Sequence, residues 1–132
     1  MGHIEESAQV IDTHITDTTN IWKNVYLKNS ILGENVNIGD FSRIENSEFE
    51  NGVGIQRNAL IYNTLIGKYS YVGKNFTSWY ANIGKFCSIS WNVGIGGANH
   101  DYSKLTTHAF LYSPYMGLMG ENEGIPANER FL

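Results

Sequence analysis

Large aliphatic side chains recur along this chain on a beat of seventeen residues. Ile83, Ile89 and Ile95 stand six apart, and one beat earlier stand Ile66, Val72 and Ser78. Earlier beats bring Phe49, Ile55 and Ile61, then Leu32, Ile38 and Ile44, then Ile15, Ile21 and Leu27, with Val10 and Ile4 in an incomplete turn. Ser78 is the one residue of the series that is not large and apolar. Two residues before each of these positions comes a mostly small side chain: Thr13, Thr19, Val25, Ser30, Val36, Ser42, Ser47, Val53, Ala59, Thr64, Ser70, Phe76, Ala81, Cys87 and Val93. On an extended chain, residues two apart point to the same side. Each segment therefore aims one small and one large side chain inward, with a polar residue or glycine between them facing out.

A repeat of six, six and five residues with three inward pairs predicts coils of three short strands, stacked as a triangular prism. About five full coils and a partial one give a column of roughly 25 to 30 Å at the ~4.8 Å spacing of stacked strands. Three residues past the second large position of each coil stand Asn24, Phe41, Asn58, Asn75 and Asn92. Asparagine tolerates a left-handed backbone and can hydrogen-bond along a stack, so these positions read as corners. Gly33, Gly39, Gly67, Gly73, Gly84 and Gly96 follow inward residues and predict close backbone approach at other bends. Phe76 at a small position and Ser78 at a large one exchange sizes, which conserves core volume. Trp79 and Tyr80 then fall at an outward corner, where surface scatter, a subunit contact and a ligand wall are all open readings.

The segments IGDFSR, IGKYSY, VGKNFT and IGKFCS carry an aliphatic residue, a glycine and a small fifth residue. This pattern resembles the hexapeptide-repeat family over about residues 4 to 96. The resemblance implies an all-β fold, a left-handed parallel β-helix of about five coils, against the usual right-handed crossover. The spacing alone does not set the hand.

After Ile95 the next beat falls on His100, within GGANHDYSKLTTHAFLYSP, and the pattern stops. The chain thus divides into a β-helix over 1–96 and an extended loop and C-terminal segment over 97–132. A stretch of this length without a repeat is expected to carry function.

Composition narrows the classes. One domain of 132 residues is large enough for a core without staples. Nine Lys and Arg against thirteen Asp and Glu give a net charge of −4, spread without runs, which argues against nucleic acid or an anionic membrane as partner. The lone cysteine, Cys87, excludes an internal disulfide and falls on an inward position, as a structural core thiol. No apolar run reaches membrane-spanning length and the N-terminus lacks a signal-peptide core, so the expected location is cytoplasmic. His3 reads as a frayed terminal residue and His14, between two inward positions, as solvent-facing.

The run IGKFCSISWNVGIGGANHDYSKLTTHAFLYS resembles the xenobiotic and sugar O-acetyltransferase branch of the hexapeptide-repeat proteins. There an Asn-His pair opens an extended loop and its histidine is the catalytic base, a role that falls on His100 here. Chemically the role is sound, since acyl transfer from a thioester needs a base to take the proton of an attacking hydroxyl or amine, and imidazole titrates near the working pH. Position alone favours an ordinary loop histidine bonded to a carbonyl, and it is the resemblance that points to the base. Asn99, Tyr102 and Thr107 are expected to contact the acceptor, while His108 either lines that site or orients the loop. A metal held by His100, Asp101 and His108 is disfavoured, because their spacing matches no compact ligand motif.

The implied activity is acetyl-CoA-dependent O- or N-acetylation of a sugar or similar small polar acceptor. In related enzymes the loop returns to the column and further coils follow. This chain stops at ANERFL, so those C-terminal coils are expected to be lacking. A truncated enzyme, a half-enzyme whose partner chain completes the acetyl-CoA site, and a non-catalytic scaffold are the resulting alternatives. An open β-helix end invites association, and the resemblance implies a homotrimer.

Overall fold

The computed structural model of the protein describes residues 2–96. Every described strand is parallel to its neighbours, and every pairing joins residues seventeen apart, from His3 with Asn20 to Trp79 with Gly96. The result is a three-sided solenoid of about six turns, without helices among the described residues, which fits a left-handed parallel β-helix.

The first face stacks His3–Ile4, Asn20–Ile21, Asn37–Ile38, Gly54–Ile55, Tyr71–Val72 and Ser88–Ile89. The second stacks Gln9–Ile11, Tyr26–Lys28, Arg43–Glu45, Leu60–Tyr62, Thr77–Trp79 and Gly94–Gly96. The third is shorter, with Ile31–Leu32, Glu48–Phe49, Leu65–Ile66 and Asn82–Ile83 above a single bridge from His14 to Ile31. Six stacked strands span about 24 Å.

The core follows from the alternation. Ile21, Leu27, Leu32, Ile38, Ile44, Phe49, Ile55, Ile61, Ile66 and Val72 are buried, and the lower and upper members Val10, Ile15, Ile89 and Ile95 pack against them half-buried. Burying each large side chain contributes about 1.5–3 kcal/mol, so the rod they form is the main source of stability. Ile4 keeps the register but stays exposed at the base.

Inward hydroxyls do a second job. At the second corner Thr13, Ser30, Ser47 and Thr64 lie one coil apart, and each donates to the carbonyl two residues back: Ile11, Lys28, Glu45 and Tyr62. The oxygen of one then accepts the backbone N–H of the next, from Ser30 to Thr13, Ser47 to Ser30 and Thr64 to Ser47. A hydroxyl at these positions thus satisfies a backbone group the corner would otherwise strand. The column ends at Ala81, which has no hydroxyl. There Ser78, fully buried, lies 2.9 Å from Thr64 Oγ1, whose own proton is already given to Tyr62, so Ser78 is the donor. Phe76, also fully buried, fills the volume that Ser78 leaves.

The corners hold left-handed backbone on all three edges, where sequence spacing indicates only one. Positive φ occurs at Asn24, Phe41, Asn58, Asn75 and Asn92, as expected, and again at Asp12, Asn29, Asn46, Asn63 and Tyr80, and at Asn35, Gly52, Tyr69 and Phe86. Asparagine side chains pair along the stacks, Asn29 with Asn46 at 2.7 Å and Asn75 with Asn92 at 2.9 Å.

Several expectations need correction. His3 is not frayed: it pairs with Asn20, its ring lies 5.0 Å from that of Trp22, and its Nε2 is 3.4 Å from Glu5 Oε1. Close approach holds at Gly33, Gly39, Gly67 and Gly73, where an added Cβ would meet the chain one coil away, but at Gly84 it would meet nothing within 4 Å. Cys87 is half-buried rather than a full core thiol, because it lies in the uppermost described coil. Charge, without runs along the chain, is nonetheless graded from one end of the winding to the other. Residues 2–50 hold nine Asp and Glu against three Lys and Arg, a net of −6, whereas residues 51–96 hold four Lys and Arg and no acidic residue, a net of +4. His14 is exposed, as expected.

Two predictions test this architecture. Phe76→Ala should cost about 3–5 kcal/mol in denaturant unfolding, and Ser78→Ile about 1–3 kcal/mol by overpacking. The double variant, which restores the small and large order of the other coils, should be more stable than the sum of the two by about 2 kcal/mol. Phe41, exposed at φ 63, bears a left-handed strain of about 1–2 kcal/mol, so Phe41→Asn should raise stability by about 1 kcal/mol in the same measurement.

Candidate functional site

The residues singled out from the sequence for chemistry, Asn99, His100, Tyr102, Thr107 and His108, lie outside the described residues, as does the extended loop over 97–132. What the described structure defines is the platform from which that stretch departs.

The last described strand breaks the corner pattern of the coils below it. On the second corner the left-handed residue comes at Asp12, Asn29, Asn46, Asn63 and Tyr80, so the beat calls for it next at position 97. Instead φ turns positive at Gly96, one residue early, at +85. Gly96 is still paired with Trp79, whose counterparts in lower coils are extended. A Cβ at Gly96 would run into the carbonyl oxygen of Trp79. Only glycine meets both demands, a left-handed backbone and contact with the carbonyl below. His100 follows four residues later in the sequence.

On the third face, below this end, lies an open groove of about 310 Å³. Leu65, Ile83 and the bare backbone of Gly67 and Gly84 line it, with Glu48 and Glu50 towards one side and Lys85 towards the other. Ile83 is the inward residue that precedes His100 by one beat, so this face is the one whose series the histidine would have continued. Around the upper coils the rings gather: Trp79 stacks on Tyr80 with centroids 6.4 Å apart, Tyr69 on Phe86 at 5.4 Å, and the Lys74 ammonium sits 4.7 Å over the Trp91 ring. Trp79 and Tyr80 are exposed at the outward corner, as the spacing predicts.

The described column itself is a satisfied scaffold. Among the described residues no buried side-chain polar atom lacks a partner, and no group of three His, Cys, Asp or Glu could hold a metal ion. Arg43 is held above its ordinary pKa by its hydrogen bond to Glu45 at 2.9 Å, against a smaller opposing effect of desolvation. Its guanidinium also lies 4.3 Å over the Tyr26 ring, so it is engaged in holding the second face together. The Cys87 sulfur faces the Lys85 carbonyl at 3.7 Å. The groove has no signal in the sequence, and the position of the turn at Gly96 shows only in its φ.

No known family model matches the chain, and no curated protein matches it. Among solved structures it is similar to the acetyltransferase domain of PglB from Neisseria gonorrhoeae FA1090, with a TM-score of 0.69 and 18% sequence identity. The match covers 71% of this chain and 48% of that one, so this chain spans about half the length of its neighbour. At this identity the likeness is one of fold.

The early turn yields a contrast that can be measured. Gly96→Ala should destabilise the protein by about 1–3 kcal/mol, through the left-handed φ and the clash below. Gly94→Ala, two residues away on the same strand, places its Cβ no nearer than 3.9 Å to Thr77 O. It should change denaturant stability by less than about 0.5 kcal/mol.

Proposed function

We propose that this protein is an acyl-CoA-dependent acetyltransferase that moves an acetyl group from acetyl-CoA to a hydroxyl or amine of a sugar or similar small polar acceptor. The observation that carries the reading is the coincidence of two breaks. The solenoid, whose fold is similar to that of an acetyltransferase domain, turns left-handed a residue early at Gly96, and in the sequence the aliphatic series stops at the Asn99-His100 pair.

In this reading His100 is the general base. Its neutral imidazole takes the proton from the acceptor oxygen or nitrogen as that atom attacks the thioester carbonyl, and the proton passes to the departing thiolate as the carbon–sulfur bond breaks. Asn99, Tyr102, Thr107 and His108 hold the acceptor, and backbone N–H groups near the glycines steady the oxyanion. The active assembly is a homotrimer in the cytoplasm. In the second reading the chain is a scaffold or half-enzyme that needs a partner chain to complete the acetyl-CoA site.

Thiol release from acetyl-CoA in the presence of a panel of amino sugars and sugar alcohols tests the assignment. His100→Ala should lower turnover by about 10²- to 10⁴-fold with circular dichroism and assembly unchanged, and undiminished turnover would remove His100 from the base role. Calorimetry with acetyl-CoA separates the two readings. Heat of binding to the chain alone supports the self-sufficient enzyme, and binding only after a second chain is added supports the half-enzyme.

A further inference from the structure

Winding the chain converts its charges into an ordered ladder. Along the third corner the outermost residues of successive coils are Asp17, Glu34, Asn51, Lys68 and Lys85, each seventeen residues after the last. The order is two anions, a neutral amide and two cations. All four charged residues are exposed, and none joins an ion pair among the described residues.

The ladder is stiff. Gly52 N–H donates to Glu34 O at 2.8 Å, Tyr69 N–H to Asn51 O at 3.0 Å and Phe86 N–H to Lys68 O at 2.9 Å, so each rung is tied to the one below. Side chains reinforce it: Asn51 Oδ1 accepts the Glu34 N–H at 2.8 Å, Glu50 Oε1 accepts the Lys68 N–H at 3.1 Å, and Thr18 Oγ1 donates to Glu34 Oε2 at 2.6 Å.

We infer that this corner is a docking surface for a second copy of the chain, lying antiparallel alongside the first, with the two-fold axis passing at Asn51 and Gly52. A ladder that reads minus, minus, neutral, plus, plus is its own complement when reversed. Under the two-fold, Asp17 faces Lys85 of the other copy, Glu34 faces Lys68, and each of these pairings occurs twice, as an isologous contact requires. A parallel arrangement would set like charge against like along the whole edge. At the centre Asn51 carries no charge, the Tyr69 ring lies over Gly52, and the neighbouring Glu50 carboxylate is turned to the Lys68 N–H above it. Beside the cations the Tyr69 and Phe86 rings, 56% and 75% exposed, would lie over Asn35 and Thr18 of the second copy. Rings of that exposure gain apolar contact on docking.

The contact rests on surface ion pairs, so it is sensitive to salt. The dissociation constant should rise at least about tenfold between roughly 20 mM and 500 mM NaCl, as the screening length shortens. Sedimentation velocity on the full chain at low salt provides the test. Lys68→Glu/Lys85→Glu makes the ladder wholly acidic and Asp17→Lys/Glu34→Lys makes it wholly basic. Each double variant should lose this association, an equimolar mixture of the two should regain it, and the fourfold variant with all signs exchanged should associate like the original. Orientation is read by cysteine cross-linking in a Cys87→Ser background. Asp17→Cys should form a disulfide with Lys85→Cys in a mixture and not with itself. Association that ignores the sign of the ladder, including a trimer built on another surface with no sign-dependent step, overturns the inference. So does a self-linked Asp17→Cys, or failure of the equimolar mixture to associate.

Discussion

Everything in this structure depends on one closure condition: three short strands and three corners return the backbone to its starting azimuth after seventeen residues. Parallel hydrogen bonding between coils then locks residue i beneath residue i+17, as every observed pairing shows. A shift of one residue would turn each inward pair outward, so the aliphatic rod holds the register and the register holds the rod. The same rule explains the homotypic stacks. Asparagine rests on asparagine at the corners, and hydroxyl rests on hydroxyl from Thr13 to Thr64.

A wound scaffold of this kind has few places for chemistry of its own. Its polar side chains are consumed in holding corners, as Ser30, Ser47 and Ser70 are, or face solvent singly. At Gly96 the corner pattern changes, and the cause is steric: the backbone goes left-handed a residue ahead of schedule, over a carbonyl that admits no Cβ. Winding also creates surfaces that no single segment contains. Rungs seventeen residues apart become neighbours about 4.8 Å apart, so charges scattered in the chain become a graded edge.

Different levels of this protein are legible to different degrees. The aliphatic series, the small inward partners and the first corner, Asn24 to Asn92, could be read without coordinates because a repeat averages over its exceptions. Phe76 and Ser78 could even be recognised as a compensating pair. The other two corners were hidden by their mixed occupants, since Gly52, Tyr69, Tyr80 and Phe86 share no side-chain chemistry and only their φ angles reveal a common role. The five candidate site residues from Asn99 to His108 belong to a stretch without repeat, where one residue's place is no guide to the next.

What the sequence by itself determined is the architecture: a seventeen-residue period of inward pairs leaves a three-sided coil as the way to bury them, because side-chain direction alternates on any extended chain. Tertiary structure alone decided the early turn at Gly96, the donor role of Ser78 and the depth of Cys87. Each of these is set by an atom one coil away, and contact across seventeen residues exists only after the backbone has closed upon itself.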